Sequence, residues 1–270
     1  MLKISQFYHL LPITLIIAAS QPALPNENYE DALVPEEVVT KQISDIDYKP
    51  PTARLLRSNF VLSSGIDMDT PTIQEYEVLM PNIWGIRSVS KVKNGASQGV
   101  SISICGIIEL VGNASSEINF ETTVSVPINK MFTSFGIRVN VNGTLSGKAK
   151  NLILGEGSKK ICTPTPGDIF SYELRTDSVS KNSSPFVSNR THSNTFRMRC
   201  TVGEAKPMTE IVAGQSGTYL PVACSGTNLT TNMQTTANYA FVQAAGLYIN
   251  LNREINTFRS TVALSSLIYE

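Results

Sequence analysis

The sequence predicts an all-β fold, an antiparallel β-sandwich arranged as one or two β modules, and three observations carry that expectation. Apolar residues recur with period two over long stretches, the mark of strands with one buried face. No stretch shows a helical period of comparable strength. Finally, 17 glycines and 14 prolines supply turns at the spacing of an antiparallel sandwich or barrel.

The elements follow in chain order. Residues 1–20 read as a secretory signal: Lys3 opens it, an apolar stretch runs from Leu10 to Ile17, and the small Ala18 and Ser20 suit cleavage after Ser20. The apolar run contains Pro12 and falls short of the roughly 20 residues that cross a bilayer as a helix. Residues 21–52 are acidic and Pro-punctuated, with Glu27, Glu30, Asp31, Glu36 and Glu37 before Pro50-Pro51. They are expected to form a flexible leader, with too little apolar material to anchor a helical turn around Glu36 to Lys41.

Residues 53–177 form the first expected β domain. Its clearest strand alternates Ile118, Phe120, Thr122, Val124, Val126 and Ile128 with polar residues; Val100, Ile102 and Ile104 repeat the pattern, as do Phe135, Ile137, Val139 and Val141. Asn142-Gly143 and Asn94-Gly95 fit the positive φ angles of tight hairpin turns. Residues 178–195 are rich in Ser and Asn and are expected to be a linker or a long loop. Residues 196–270 form a C-terminal β module, with strands at Phe196 to Val202, Leu247 to Leu251 and Phe258 to Ile268.

Charge excludes one class of function. With 22 Lys+Arg against 22 Asp+Glu the net charge is zero, so no global field draws the chain to nucleic acid. Cysteine usage points to a compartment. Export to the periplasm, cell surface or medium puts Cys105, Cys162, Cys200 and Cys224 in an oxidising environment, and their even number suits two disulfides. Of the three connectivities, Cys105 to Cys162 with Cys200 to Cys224 is favoured because the second pair flanks a compact segment. The scattered cysteines and single mature histidine, His192, do not fit zinc spacing, and no metal or cofactor is expected.

The motifs that suggest catalysis lack their partners. Ser88 to Lys91 and Ser178 to Lys181 both read Ser-Val-Ser-Lys and satisfy Ser-x-x-Lys, but they lie in strand or loop context without the companion motifs. Gly155 to Lys159 lacks phosphate-loop spacing and reads as a turn. His192 has no nucleophile elbow to serve, and Asp67 with Asp69 has no third acidic ligand for calcium. A carboxylate pair for glycoside chemistry would leave no trace in spacing. Trp84 is expected to plug the core; exposed, it would stack on a sugar or a partner. Sequons stand at Asn113, Asn142, Asn182, Asn189 and Asn228.

Two stretches resemble known families. The end of the chain, NTFRSTVALSSLIYE, resembles the terminal strand of a chaperone-usher fimbrial subunit, with period-two alternation and the penultimate Tyr269. That resemblance implies an Ig-like sandwich lacking one strand, with Phe258 to Tyr269 edging a groove. A periplasmic chaperone and then a neighbouring subunit would fill the groove by strand addition, in an adhesion role toward a host-surface ligand. The stretch INFETTVSVPINKMFTSFGIRVNVNGTLSG resembles the Ser/Thr-rich strands of aerolysin-type pore-forming toxins. This second resemblance implies a hairpin able to enter lipid, with Ile118 to Ile128 paired to Val100 to Leu110 and tethered by a disulfide from Cys105. The expected mode of action is binding or assembly rather than catalysis.

Overall fold

The structure, a computed structural model, describes residues 37–64, 68–92, 95–128, 131–183, 189–255 and 258–270. The export signal, the acidic run up to Glu36, and Asp67 lie outside the described residues.

Alternating sequence does form strands here, but they close on themselves. The strands are β1 (Leu55–Ser64), β2 (Met68–Met80), β3 (Ile83–Val92), β4 (Gly95–Ile104), β5 (Ile108–Ile128), β6 (Met131–Leu154) and β7 (Ile169–Asn182), then β8 (Arg190–Val202), β9 (Lys206–Pro207), β10 (Thr218–Asn228), β11 (Met233–Val242), β12 (Leu247–Ile255) and β13 (Phe258–Tyr269). Each long strand pairs antiparallel with its neighbours in sequence, β8 pairs with β10, β10 pairs with β11, and β13 returns to β1. The result is a closed 12-stranded antiparallel barrel, with β9 a short addition against the start of β10.

This corrects the expected Ig-like sandwich. A sandwich needs two sheets with free edges, whereas every long strand here has a partner on each side, which removes the edges. The same closure changes the reading of the terminal strand. Residues Phe258 to Thr261 of β13 lie opposite Asn252 to Ile255 of β12, and β1 runs along the other side of β13. Strand complementation needs a sheet with one strand missing, and this sheet closes with its own twelve.

Nor is there a separate C-terminal module. The Ser/Asn-rich stretch completes two paired strands: Asp177 lies opposite Ser193, Ser178 opposite His192 and Ser180 opposite Arg190. Asn142-Gly143 is likewise no turn, because it sits within β6 opposite Glu117 and Ser116, and the β5–β6 ladder runs on to Ile128 opposite Met131. Of the other proposed turn, Gly95 begins β4 opposite Val92 of β3, and Asn94 lies outside the described residues.

One end of the barrel, here the lower end, is plugged. Helix α1 (Glu37–Ile43) packs against β6 and buries Val39 and Ile43, while Ile46 follows them into a cluster with Ile83, Ile104 and Ile161. The latter part of the expected flexible leader is therefore anchored: the Asn82 Nδ2 amide donates to the Ile46 carbonyl (3.2 Å), and the Asp47 N–H donates to the Lys159 carbonyl (2.7 Å). Three apolar residues and two backbone contacts suffice because the barrel supplies the other half of the interface.

Below Asn252, β12 departs from the ladder it shares with β13 and reaches the β4–β5 turn, where the Tyr248 N–H donates to the Cys105 carbonyl (2.7 Å). Leu247, Tyr248 and Ile249 are all buried, so this part of β12 is covered on both faces. Trp84, Tyr76, Leu55 and Leu267 belong to the cluster on the Leu247 side. The turn itself is tight: Gly106 has φ 82°, and a Cβ there would lie 2.5 Å from the Tyr248 carbonyl oxygen.

Disulfides reinforce this end and the wall. Cys105 is bonded to Cys162, joining the β4–β5 turn to the β6–β7 connection, and Cys200 is bonded to Cys224, directly opposite it across β8 and β10. The outer face of the wall carries charge, including the Arg57–Glu75 pair (2.6 Å) between β1 and β2 and the Arg197–Glu173 pair (2.9 Å) between β8 and β7. A barrel wall facing lipid presents an apolar band instead, so the wall faces water at these pairs. No helix among the described residues is long and apolar enough to cross a membrane.

Candidate functional site

Twelve strands enclose more space than their inward side chains fill, and the remainder is a cavity of about 220 Å³. Its lining mixes small polar and large apolar side chains. Ser88 of β3, Ser101 and Ser103 of β4, and Gly112 and Ala114 of β5 make one side small and polar. Tyr172 and Leu174 of β7, Phe196 and Met198 of β8, and Tyr239 of β11 contribute large, mostly apolar surface, with Thr176, Ser178 and Asn194 beyond them. Tyr248 forms the floor, its ring edge-on to Phe170 and Tyr239 at 6.4 and 6.2 Å, and its hydroxyl donating to the Ile161 carbonyl (2.7 Å).

Two charged side chains enter this cavity, and irregularities in the ladder place both. Along β4 and β5, Ile102 lies opposite Val111 but Ser103 lies opposite Glu109, so a bulge at this point turns Glu109 onto the cavity face. Along β11 and β12, Asn238 lies opposite Asn252 but Tyr239 lies opposite Asn250. The resulting bulge lets both Asn250 and Arg253 line the cavity, although an odd number of residues separates them from a common face in a regular strand.

The carboxyl of Glu109 makes no hydrogen bond among the described residues, and its Oε1 is fully buried. Burial pushes its pKa from 4.5 up to about 8, against the opposing pull of the Arg253 guanidinium. At neutral pH Glu109 is therefore mostly a neutral acid able to donate a hydrogen bond. Arg253 lies close enough to act electrostatically on Glu109, Tyr172 and Tyr239, yet it forms no ion pair among the described residues. Burial raises the pKa of both tyrosines, which keeps them as neutral phenols. Beside Glu109 in the ladder, the Ser103 Oγ is also buried without a partner. Buried polar atoms without partners are costly and mark a place where something else supplies the bond.

The residues singled out from the sequence lie elsewhere or serve the scaffold. In each Ser-x-x-Lys copy the three-residue spacing along a strand sends the two side chains to opposite faces: Ser88 and Ser178 line the cavity, while Lys91 and Lys181 are exposed. His192 is exposed on β8, and Asp69 accepts a hydrogen bond from the Ser63 hydroxyl across β1 and β2 (2.6 Å). Gly157, with φ 68°, opens a short 3₁₀ turn at Ser158–Lys160. The sequon at Asn228 is buried, its side chain bonded to Asn194, Thr230 and Thr231. All four cysteines are in disulfides. Glu109 and Arg253 had no sequence signal beyond being charges in otherwise apolar or polar strands.

No known family matches the chain, and no curated protein matches it. Among solved structures, the crystal structure of the hypothetical lipoprotein YmcC from Escherichia coli (K12) is similar at 10% identity with a TM-score of 0.39, covering 86% of this chain and 97% of that one. The disulfides and all-β fold suit an exported or envelope protein.

Proposed function

We propose that this chain is an exported binding protein that holds a small ligand inside its barrel and acts by binding rather than by catalysis. The observation that supports this reading is the cavity itself, where Glu109 and Arg253 are brought in by separate bulges and left without partners. A fold that needed only stability would fill that space with apolar side chains, since the buried, unpartnered Glu109 Oε1 and Ser103 Oγ are destabilising. The cavity has the mixed lining of a binding site, mostly apolar with a few polar groups that orient the guest. A cavity of this volume suits a ligand of modest size. Export makes the periplasm, the cell surface or the medium the source of that ligand.

The test is to obstruct the space. Ala114→Phe on the small-residue wall should abolish the thermal stabilisation that a small-molecule library produces in the parent chain, while leaving its disulfides and far-ultraviolet spectrum intact. A parent chain whose melting temperature no compound raises rejects the reading.

A second reading, membrane insertion by a hairpin, is favoured by one feature. β5 and β6 continue past their other neighbours: β4 ends opposite Ile118 and β7 ends opposite Gly143, so the ladder from Asn119–Asn140 to Ile128–Met131 is paired only with itself. Its arms are about as long as a strand that spans lipid. The register also alters the pairing expected from the sequence. Ile118 to Ile128 pairs with Met131 to Val141, not with Val100 to Leu110, and the Cys105 disulfide sits at the opposite end of β5. Dye release from anionic liposomes that disappears when residues 119–141 are removed would support this reading.

A further inference from the structure

Resting on the binding reading above, we infer that the ligand is a small organic carboxylate with an apolar body, its acid group held between Arg253 and Glu109. Arg253 is the cationic group lining the cavity, and it lacks a carboxylate partner among the described residues. Arg253 is half-buried, so an anion delivered to it gains a charge-assisted contact in place of water, and a carboxylate can accept two of its parallel N–H groups. Opposite stands the carboxyl of Glu109, with the buried Ser103 hydroxyl next to it in the ladder. A protonated carboxyl and a hydroxyl are both donors, and both point toward an acceptor-rich guest.

The rest of the lining fits the apolar body. Leu174, Phe196 and Met198 offer a broad hydrophobic wall facing the small residues of β4 and β5. The other titratable side chains lining the space are Tyr76 of β2, Tyr172 of β7, Tyr239 of β11 and Tyr248 of β12. All four have their phenol pKa raised by burial and stay neutral, so Arg253 sets the charge sign near neutral pH. A cationic guest would have to share the cavity with that guanidinium.

The experiment uses the whole mature chain and three probes of equal chain length: octanoate, octanamide of the same planar head shape, and octylamine of opposite charge, each titrated by calorimetry. Octanoate is expected to bind at least about tenfold more tightly than either other probe, an energetic difference near 1.4 kcal/mol. Its affinity should hold at mildly acidic to neutral pH and weaken above about pH 8, as ionised Glu109 begins to repel it. Arg253→Gln should remove the preference for the acid while leaving weak binding of the amide, a control that reports an intact cavity in the same variant. The parent chain alone keeps the test decisive if that variant misfolds, because the ranking of the three probes needs no substitution. Equal or tighter binding of octanamide or octylamine overturns the carboxylate assignment and leaves the binding reading standing. Failure of all three probes, with no library compound raising the melting temperature, overturns both.

Discussion

Glu109 and Arg253 stand on opposite walls of one cavity, β5 and β12 being six steps apart around a ring of twelve strands, and a β-bulge aims each of them inward. Their electrostatic coupling without an ion pair has a measurable consequence for stability. The folded chain holds the proton on Glu109 up to about pH 8, whereas the ordinary value of 4.5 governs the unfolded chain. Between those limits the folded state binds more protons than the unfolded one. The stabilising contribution is therefore complete below about 4.5 and is lost as the pH rises through about 8. At about 1.4 kcal/mol per pKa unit the loss is a few kcal/mol. Glu109→Gln, which cannot ionise, should flatten the difference; urea unfolding of both chains across that pH range checks it.

Arg253 has a separable role. It pulls the Glu109 pKa down against a larger effect of burial, so Arg253→Gln should move that pKa above about 8. The stability of the variant would then begin to fall at the same pH, near the unfolded value of 4.5, but keep falling to a higher pH than in the parent chain. A carboxyl-carbon NMR titration of Glu109 reads the shift directly, and an unchanged or lower value would show that the guanidinium does not act on it.

Much of the secondary structure was legible and the closure was not, for reasons visible in particular strands. Period two located β4, β5, β6, β8, β12 and β13, because a half-buried strand leaves that mark whatever sheet it joins. Sandwich and barrel share the mark, and the distinction rests on the β1–β13 pairing, which joins the first and last strands of the chain and is long-range. The inward face was hidden for another reason. On β4 both Ile102 and Ser103 are buried, and on β12 Leu247, Tyr248 and Ile249 all are, so alternation does not say which residues look into the cavity. The bulges then reverse the parity at the two positions that matter most, Glu109 and Arg253. Asn142-Gly143 misled because turn propensity is local, whereas the β5–β6 ladder runs straight through it.

The two disulfides should differ in weight. By chain entropy, closing the 24-residue separation of Cys200 and Cys224 stabilises by about 3.5 kcal/mol, and closing the 57-residue separation of Cys105 and Cys162 by about 4 kcal/mol. The second also holds the β4–β5 turn beside Tyr248. Cys105→Ala with Cys162→Ala should therefore cost more than the Cys200 and Cys224 pair. Equilibrium unfolding of the two double variants gives the comparison, and the reverse order would mean that the lower plug contributes little.

Gly106 tests the same plug by strain. Alanine at this position must hold φ near 82° and place its Cβ against the Tyr248 carbonyl and the Leu247 side chain. The expected cost is about 2–3 kcal/mol, combining the backbone penalty with displacement of β12. Gly167→Ala is the control: its φ is 84° but no atom lies within 4 Å of the added carbon. It should pay the backbone penalty alone, so the difference between the two melting temperatures isolates the contact with β12.

The overhanging ladder of β5 and β6 permits a cleaner separation of scaffold from appendage. Between Asn119 and Asn140 each strand is paired only with the other, so the barrel wall does not depend on those rungs. An isolated two-stranded ribbon is marginally stable by itself. Replacing residues 119–141 with a short Asn-Gly turn should therefore leave the melting temperature within about 2 °C of the parent value, since few cooperative contacts are removed. It should also leave octanoate binding unchanged, because Glu109 and Arg253 lie on the paired part of the wall. Liposome leakage, if the parent chain shows it, should vanish in the same protein. Loss of ligand binding on deletion would instead join the ribbon to the cavity, and the two readings would have to be treated as one mechanism.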